Sequence, residues 1–144
     1  MILIDANLLI YAIDKDSPHH HRARPWLEEQ LSGTAVVGLA WVVVLAFIRI
    51  TTRPGILHKP LRPERALSYV HEWLDQPYVT AIGPAENHWP ILRNLLRTTG
   101  TAGNLVSDAH LAAIAIEQGA TIYSTDQDFK RFPGIDHVDP LSER

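Results

Sequence analysis

Apolar residues fall into two textures along this chain. Short unbroken runs at Met1 to Ile4, Thr34 to Val37, Tyr78 to Ile82, Ala120 to Tyr123 and Asp136 to Val138 predict strands. The runs lack polar alternation, which marks strands covered on both faces. Between them, apolar residues recur at spacings of three and four and predict helices. Asn7 to Ile13 forms a short one. A second opens at Ser17-Pro18, read as an N-cap and first helical residue, and runs to Leu31 with Ala23, Trp26 and Leu27 inward. Leu39 to Thr52 is apolar nearly all round and should be deeply packed. Arg62-Pro63-Glu64 starts a helix through Leu74, Ala85 to Thr98 forms the next, and Leu105 to Gln118 closes on Gly119. Strand and helix alternate throughout. That order predicts an α/β chain, three layers deep, around a mostly parallel sheet, with residues 1–144 forming a single domain.

Composition narrows the class. With 144 residues, 46% of them apolar and 20% charged, the chain can bury a full core. It has no cysteine, which excludes disulfide scaffolds, zinc–thiolate sites, iron–sulfur clusters and thiol nucleophiles, and fits a reducing cytoplasm. The longest apolar run, Ala35 to Ile48, is shorter than the roughly 20 residues a membrane span needs. No basic residue precedes the apolar start, so it reads as a strand rather than a signal peptide.

Acids end several of these elements. Asp5 closes the first strand, Asp108 lies in the first turn of the last long helix, and Asp126 and Asp128 follow the strand at Ala120 to Tyr123. In open α/β sheets, sites lie at the carboxyl ends of strands. Carboxylates gathered there repel one another unless a cation sits among them, and a hard ion such as Mg²⁺ or Mn²⁺ is the natural partner. Each acid also has a purely local reading: Asp5 as a helix cap, Asp108 as a complement to the helix dipole, Asp126 and Asp128 as an Asx turn.

The segments carrying these acids resemble a known family. Ile2-Leu3-Ile4-Asp5-Ala6-Asn7-Leu8-Leu9-Ile10-Tyr11-Ala12 is similar to the opening motif of PIN-domain ribonucleases, Ser107-Asp108-Ala109-His110-Leu111-Ala112-Ala113 to their third acidic motif, and Ser124-Thr125-Asp126-Gln127-Asp128-Phe129 to their last. Trp41 to Thr52 and Phe132-Pro133-Gly134 resemble the VapC toxins of VapBC toxin–antitoxin systems. The resemblance implies a PIN-like α/β/α fold and a Mg²⁺- or Mn²⁺-dependent endoribonuclease that leaves 5′-phosphate and 3′-hydroxyl ends. It implies RNA as substrate, a VapB-like antitoxin as partner, and a homodimer. By the same resemblance Asp5, Asp108 and Asp126 are catalytic, and together with Asp128 they hold metal. One position departs from the pattern. Ala46 stands where the family usually carries Glu, so either Asp126 and Asp128 both serve the metals or one ion is held more weakly.

The net charge of −3 argues against a protein that coats phosphates, although without the four acids the remainder has no acidic excess. Arg49, Arg53, Lys59, Arg62 and Arg65 face only Glu64, and Arg49, Arg53 and Lys59 are candidates for RNA contact or for a solvated helix end. Asn7 would orient a water on the metal or cap the first helix. His19 to His21 read as a surface run, and His110 as a core or surface histidine facing away from Asp108. Trp26, Trp41, Trp73 and Trp89 read as core or interface rather than base-stacking platforms. Two other functions stay open: phosphoryl transfer on a small substrate, which uses the same acids, and an inactive PIN-fold binding module, which Ala46 keeps in view. The first usually adds a Gly-rich phosphate loop or a Walker-type Lys, and the chain has neither.

Overall fold

The computed structural model describes residues 1–142. Five strands form one sheet: β1 (Ile2–Ile4), β2 (Val37–Ala40), β3 (Val79–Ile82), β4 (Thr121–Tyr123) and β5 (Asp136–Val138). Their spatial order is β3-β2-β1-β4-β5, and every pairing is parallel. The connections carry α1 (Ala6–Ile13), α2 (His20–Ser32), α3 (Trp41–Thr52), α4 (Pro63–Leu74), α5 (His88–Thr99) and α6 (Val106–Gln118). Parallel strands need crossovers, and right-handed crossovers put helices on both faces. Accordingly α1 packs on α2 and α3, and α3 on α4, while α5 pairs with α6. The central strands are buried from both sides, with Leu3, Ile4, Val37, Leu39 and Ile122 at most 1% exposed.

Two features of this topology position the site. The chain leaves β1 toward β2 but leaves β4 toward β5, so the carboxyl ends of the adjacent strands β1 and β4 flank a switch point. Open α/β sheets bind ligands in that crevice. Asp5 then follows β1 and Ser124 follows β4, their backbones still tied by the Asp5 N–H to the Tyr123 carbonyl at 3.0 Å.

Four elements start two or three residues later than the sequence reading places them. The second strand is Val37–Ala40, not Thr34 to Val37, and α3 starts at Trp41 rather than Leu39. A run this apolar has no period to separate strand from helix, and the register against both β1 and β3 settles it. The second helix starts at His20, because the Ser17 hydroxyl accepts from His19 N–H and closes a turn before the helix. The fifth starts at His88, since the Glu117 carboxylate accepts from Ala85 and Asn87 N–H and holds 85–87 out of the helix.

Candidate metal centre

Three acids converge. Asp108, Asp126 and Asp128 each offer a carboxylate oxygen within 4.8 Å of the others, and among the described residues they form the one such group of ligand side chains. Asp108 comes from the first turn of α6, which opens beneath the small-residue loop before it. Asp126 and Asp128 come from the turn between β4 and the 3₁₀ helix Gln127–Arg131. Asp126 Oδ1 accepts from Asp128 N–H at 2.9 Å, so the local Asx turn is real and aligns the two acids. Asp126 keeps its second oxygen free of that bond.

Asp5 stands outside the group of three but next to it. Its Oδ1 accepts from Ala6 N–H at 2.8 Å, capping α1, and its Oδ2 accepts from the Ser124 hydroxyl at 2.6 Å. Each oxygen accepts one hydrogen bond, which fixes the carboxylate at the end of β1. It acts on the group of three through space. Burial pushes the Asp5 carboxyl up, hydrogen bonds from Ser124 and Ala6 pull it down, Asp126 raises it and His137 lowers it. Asp108 is raised to about 7 by its burial and then by Asp126, Asp5 and Asp128. Four acids therefore share one electrostatic neighbourhood, and no salt bridge to Lys or Arg relieves them among the described residues.

Ser124 is the hub that the sequence reading left without a role. It is wholly buried. Its hydroxyl donates to Asp5 and accepts from Asp126 N–H at 3.0 Å and from Asn7 Nδ2 at 3.3 Å. A lone serine after a strand gives no such signal. Asn7 Oδ1 is buried and has no partner. A buried acceptor without a donor is costly, and here it lies beside the acid group. That orphan oxygen and three clustered carboxylates fit a hydrated hard cation, whose waters donate and whose charge offsets the acids. No acid stands on α3, where half-buried Ala46 packs on the core.

Other candidates fall elsewhere. Arg49 and Arg53 lie on the last turn of α3 and just past it, and Lys59 in the following loop; all three are exposed. Because α3 leaves the carboxyl edge at Trp41, Arg53 is about 18 Å of helix away from it. Lys130 and Arg131, exposed and just beyond Asp128, are nearer cations that the sequence reading did not single out. His110 faces α5: its Nδ1 and His88 Nε2 share a hydrogen bond of 2.9 Å. Burial, then His88, lowers the His110 pKa. His20 Nδ1 meets the Tyr11 carbonyl and His19 packs on the Tyr11 ring, so the three histidines gather no ligand set. Trp73 is core at 7% exposed and Trp26 stacks on Tyr123, but Trp41 and Trp89 are 51% and 65% exposed and are not core.

Comparison with known proteins agrees with this geometry. The PIN-domain family model matches residues 2–135. The chain is 45% identical over 135 residues to Ribonuclease VapC37 of Mycobacterium tuberculosis, covering 94% of each chain. The chain belongs to the PIN-domain family, among its VapC ribonucleases. The fold superposes on that of VapBC2 from Rickettsia felis, a structure bound to a promoter DNA fragment, with a TM-score of 0.71 at 22% identity over 96% of this chain and 98% of that one. It superposes equally on M. tuberculosis VapC20, a toxin that cleaves the sarcin–ricin loop, with a TM-score of 0.71 at 18% identity over 96% and 98%.

Proposed function

We propose that this protein is an endoribonuclease dependent on one hard divalent cation, Mg²⁺ or Mn²⁺, and the toxin of a toxin–antitoxin pair. The observation that carries this reading is the convergence of Asp108, Asp126 and Asp128 within 4.8 Å at the switch point of the sheet. Its family and its 45% identity to a ribonuclease support RNA as the substrate.

The ion, when bound, supplies an activated water and neutralises charge on the scissile phosphate. The protein does the rest. Asp108, Asp126 and Asp128 would hold the ion, with Asp5 beside them, fixed by the Ser124 hydroxyl. Asn7 Oδ1, buried without a partner, would accept a hydrogen bond from a water that the ion brings. Ala46 removes the usual additional carboxylate, which supports one ion over two. Lys130 and Arg131 meet phosphates next to the scissile one, and Arg49, Arg53 and Lys59 engage only more distant parts of a longer RNA. The partners are an antitoxin of the VapB kind, as in the complexes of its structural neighbours, and a second copy of the chain. No described helix is long and apolar enough to cross a membrane, and the cytoplasm, where RNA is accessible, is the compartment that suits this activity.

The test is direct. Purified protein should cleave end-labelled RNA with Mg²⁺ or Mn²⁺, stop with EDTA, and resume when metal is restored. Asp126→Asn should lose at least about 100-fold in rate while keeping its circular dichroism spectrum. Release of phosphate from small esters without RNA cleavage would support the small-substrate enzyme instead. Neither activity with Mn²⁺ bound would leave the binding module.

A further inference from the structure

β5 is the edge strand beside β4, and it grips the residue that leaves β4 toward the acids. The Ser124 N–H donates to the Val138 carbonyl at 3.0 Å. The Ser124 carbonyl accepts from His137 Nε2 at 2.9 Å, which requires the proton on Nε2. The same imidazole is half-buried and leans on the Phe129 ring, 5.7 Å between centroids at 44°. Phe129 is itself fully buried. One ring therefore touches the chain on both sides of the four residues 125–128: the Ser124 carbonyl before Asp126, and Phe129 directly after Asp128. The ring also acts on Asp5, favouring its charged form.

We propose that His137 is a positioning residue for the cation site: its Nε2–H fixes the Ser124 carbonyl and its ring seats Phe129, so that the turn between them presents Asp126 and Asp128 to Asp108. His137 touches neither ion nor RNA. It acts through Ser124, whose hydroxyl in turn holds Asp5 Oδ2 and Asp126 N–H. This inference rests on the cation reading above and adds a residue to it. Partners that orient ligands without touching the metal commonly change affinity by about 10- to 100-fold when removed.

Two variants separate the hydrogen bond from the packing. His137→Gln keeps an N–H donor at similar reach and loses the ring. His137→Phe keeps a ring against Phe129 and loses the donor. Isothermal titration with Mn²⁺, melting without metal, and RNA cleavage kinetics are read on each. We expect His137→Gln to bind Mn²⁺ within about threefold of the unaltered protein. His137→Phe should bind about tenfold more weakly and lose kcat with KM for RNA unchanged, at an unchanged metal-free melting temperature. Should His137→Phe fail to fold, His137→Met serves as the donor-free comparison. Mn²⁺ affinity unchanged in the donor-free variant overturns the proposal. So does an equal loss in both variants that follows their melting temperatures. If the unaltered protein binds no Mn²⁺, the cation reading fails first and takes this one with it.

Discussion

Asp108 shows what clustering costs a single residue. Its pKa of about 7, against an ordinary 3.8, comes from burial and three neighbouring carboxylates. An acid raised on folding binds more protons folded than unfolded between those two values, so the metal-free protein should lose stability as pH rises from about 4 to 7. Asp5 is shifted the same way. The ion needs Asp108 charged, so Mn²⁺ affinity should rise across the same window and level off above about 7. Melting without metal at pH 5 and pH 8, and Mn²⁺ titrations at both, measure these slopes. Asp108→Asn should flatten the first and abolish the second. A metal-free melting temperature that rises from pH 5 to pH 8 would contradict the assignment. At this scale the sequence exposed the acids by their joint placement, at two strand ends and one helix start, although each alone has a local use. It concealed Ser124 and His137, whose importance lies in contacts with residues 119 and 13 positions away.

Elements were legible in kind and blurred at their edges. Every predicted strand and helix has its counterpart, because the periods of runs and spacings survive folding. The β2–α3 junction did not, since Val37 to Phe47 is apolar in either conformation. Pairing resolves it, and Gly38 shows how tightly. A Cβ there would lie 2.6 Å from Leu3 Cδ2 and 3.0 Å from Ile82 Cδ1, both from strands beside β2. Leu3 is 1% exposed and has little room to yield. Gly38→Ala should therefore cost about 1–3 kcal/mol in urea unfolding, whereas the same change in an open strand would be nearly neutral or favourable. The start of α5 was hidden for a different reason. The carboxylate that holds 85–87 out of the helix, Glu117, arrives from 30 residues downstream of Asn87, beyond the reach of any local rule.

Across the whole molecule, apolar side chains remain uncovered on the helices. Trp41 and Leu45, one turn apart on α3, are 51% and 61% exposed, and Trp89 on α5 is 65% exposed. Exposed aromatic and aliphatic surface of this kind supports the proposed homodimer. Light scattering should give twice the chain mass, and Leu45→Lys should reduce it to one chain without loss of circular dichroism. A monomeric parent protein would refute the dimer. The parallel sheet and its helical layers were readable from the order of elements; the strand order was not, because nothing local says that the first strand sits between the second and the fourth.

That order carries a consequence for synthesis. β1 emerges first yet waits for β4, and Asp5 meets Ser124 only after 119 further residues have been made. Contacts so far apart along the chain form late. A ribosome releasing this polypeptide therefore holds an unassembled acid cluster until β4 and the turn after it have left the exit tunnel.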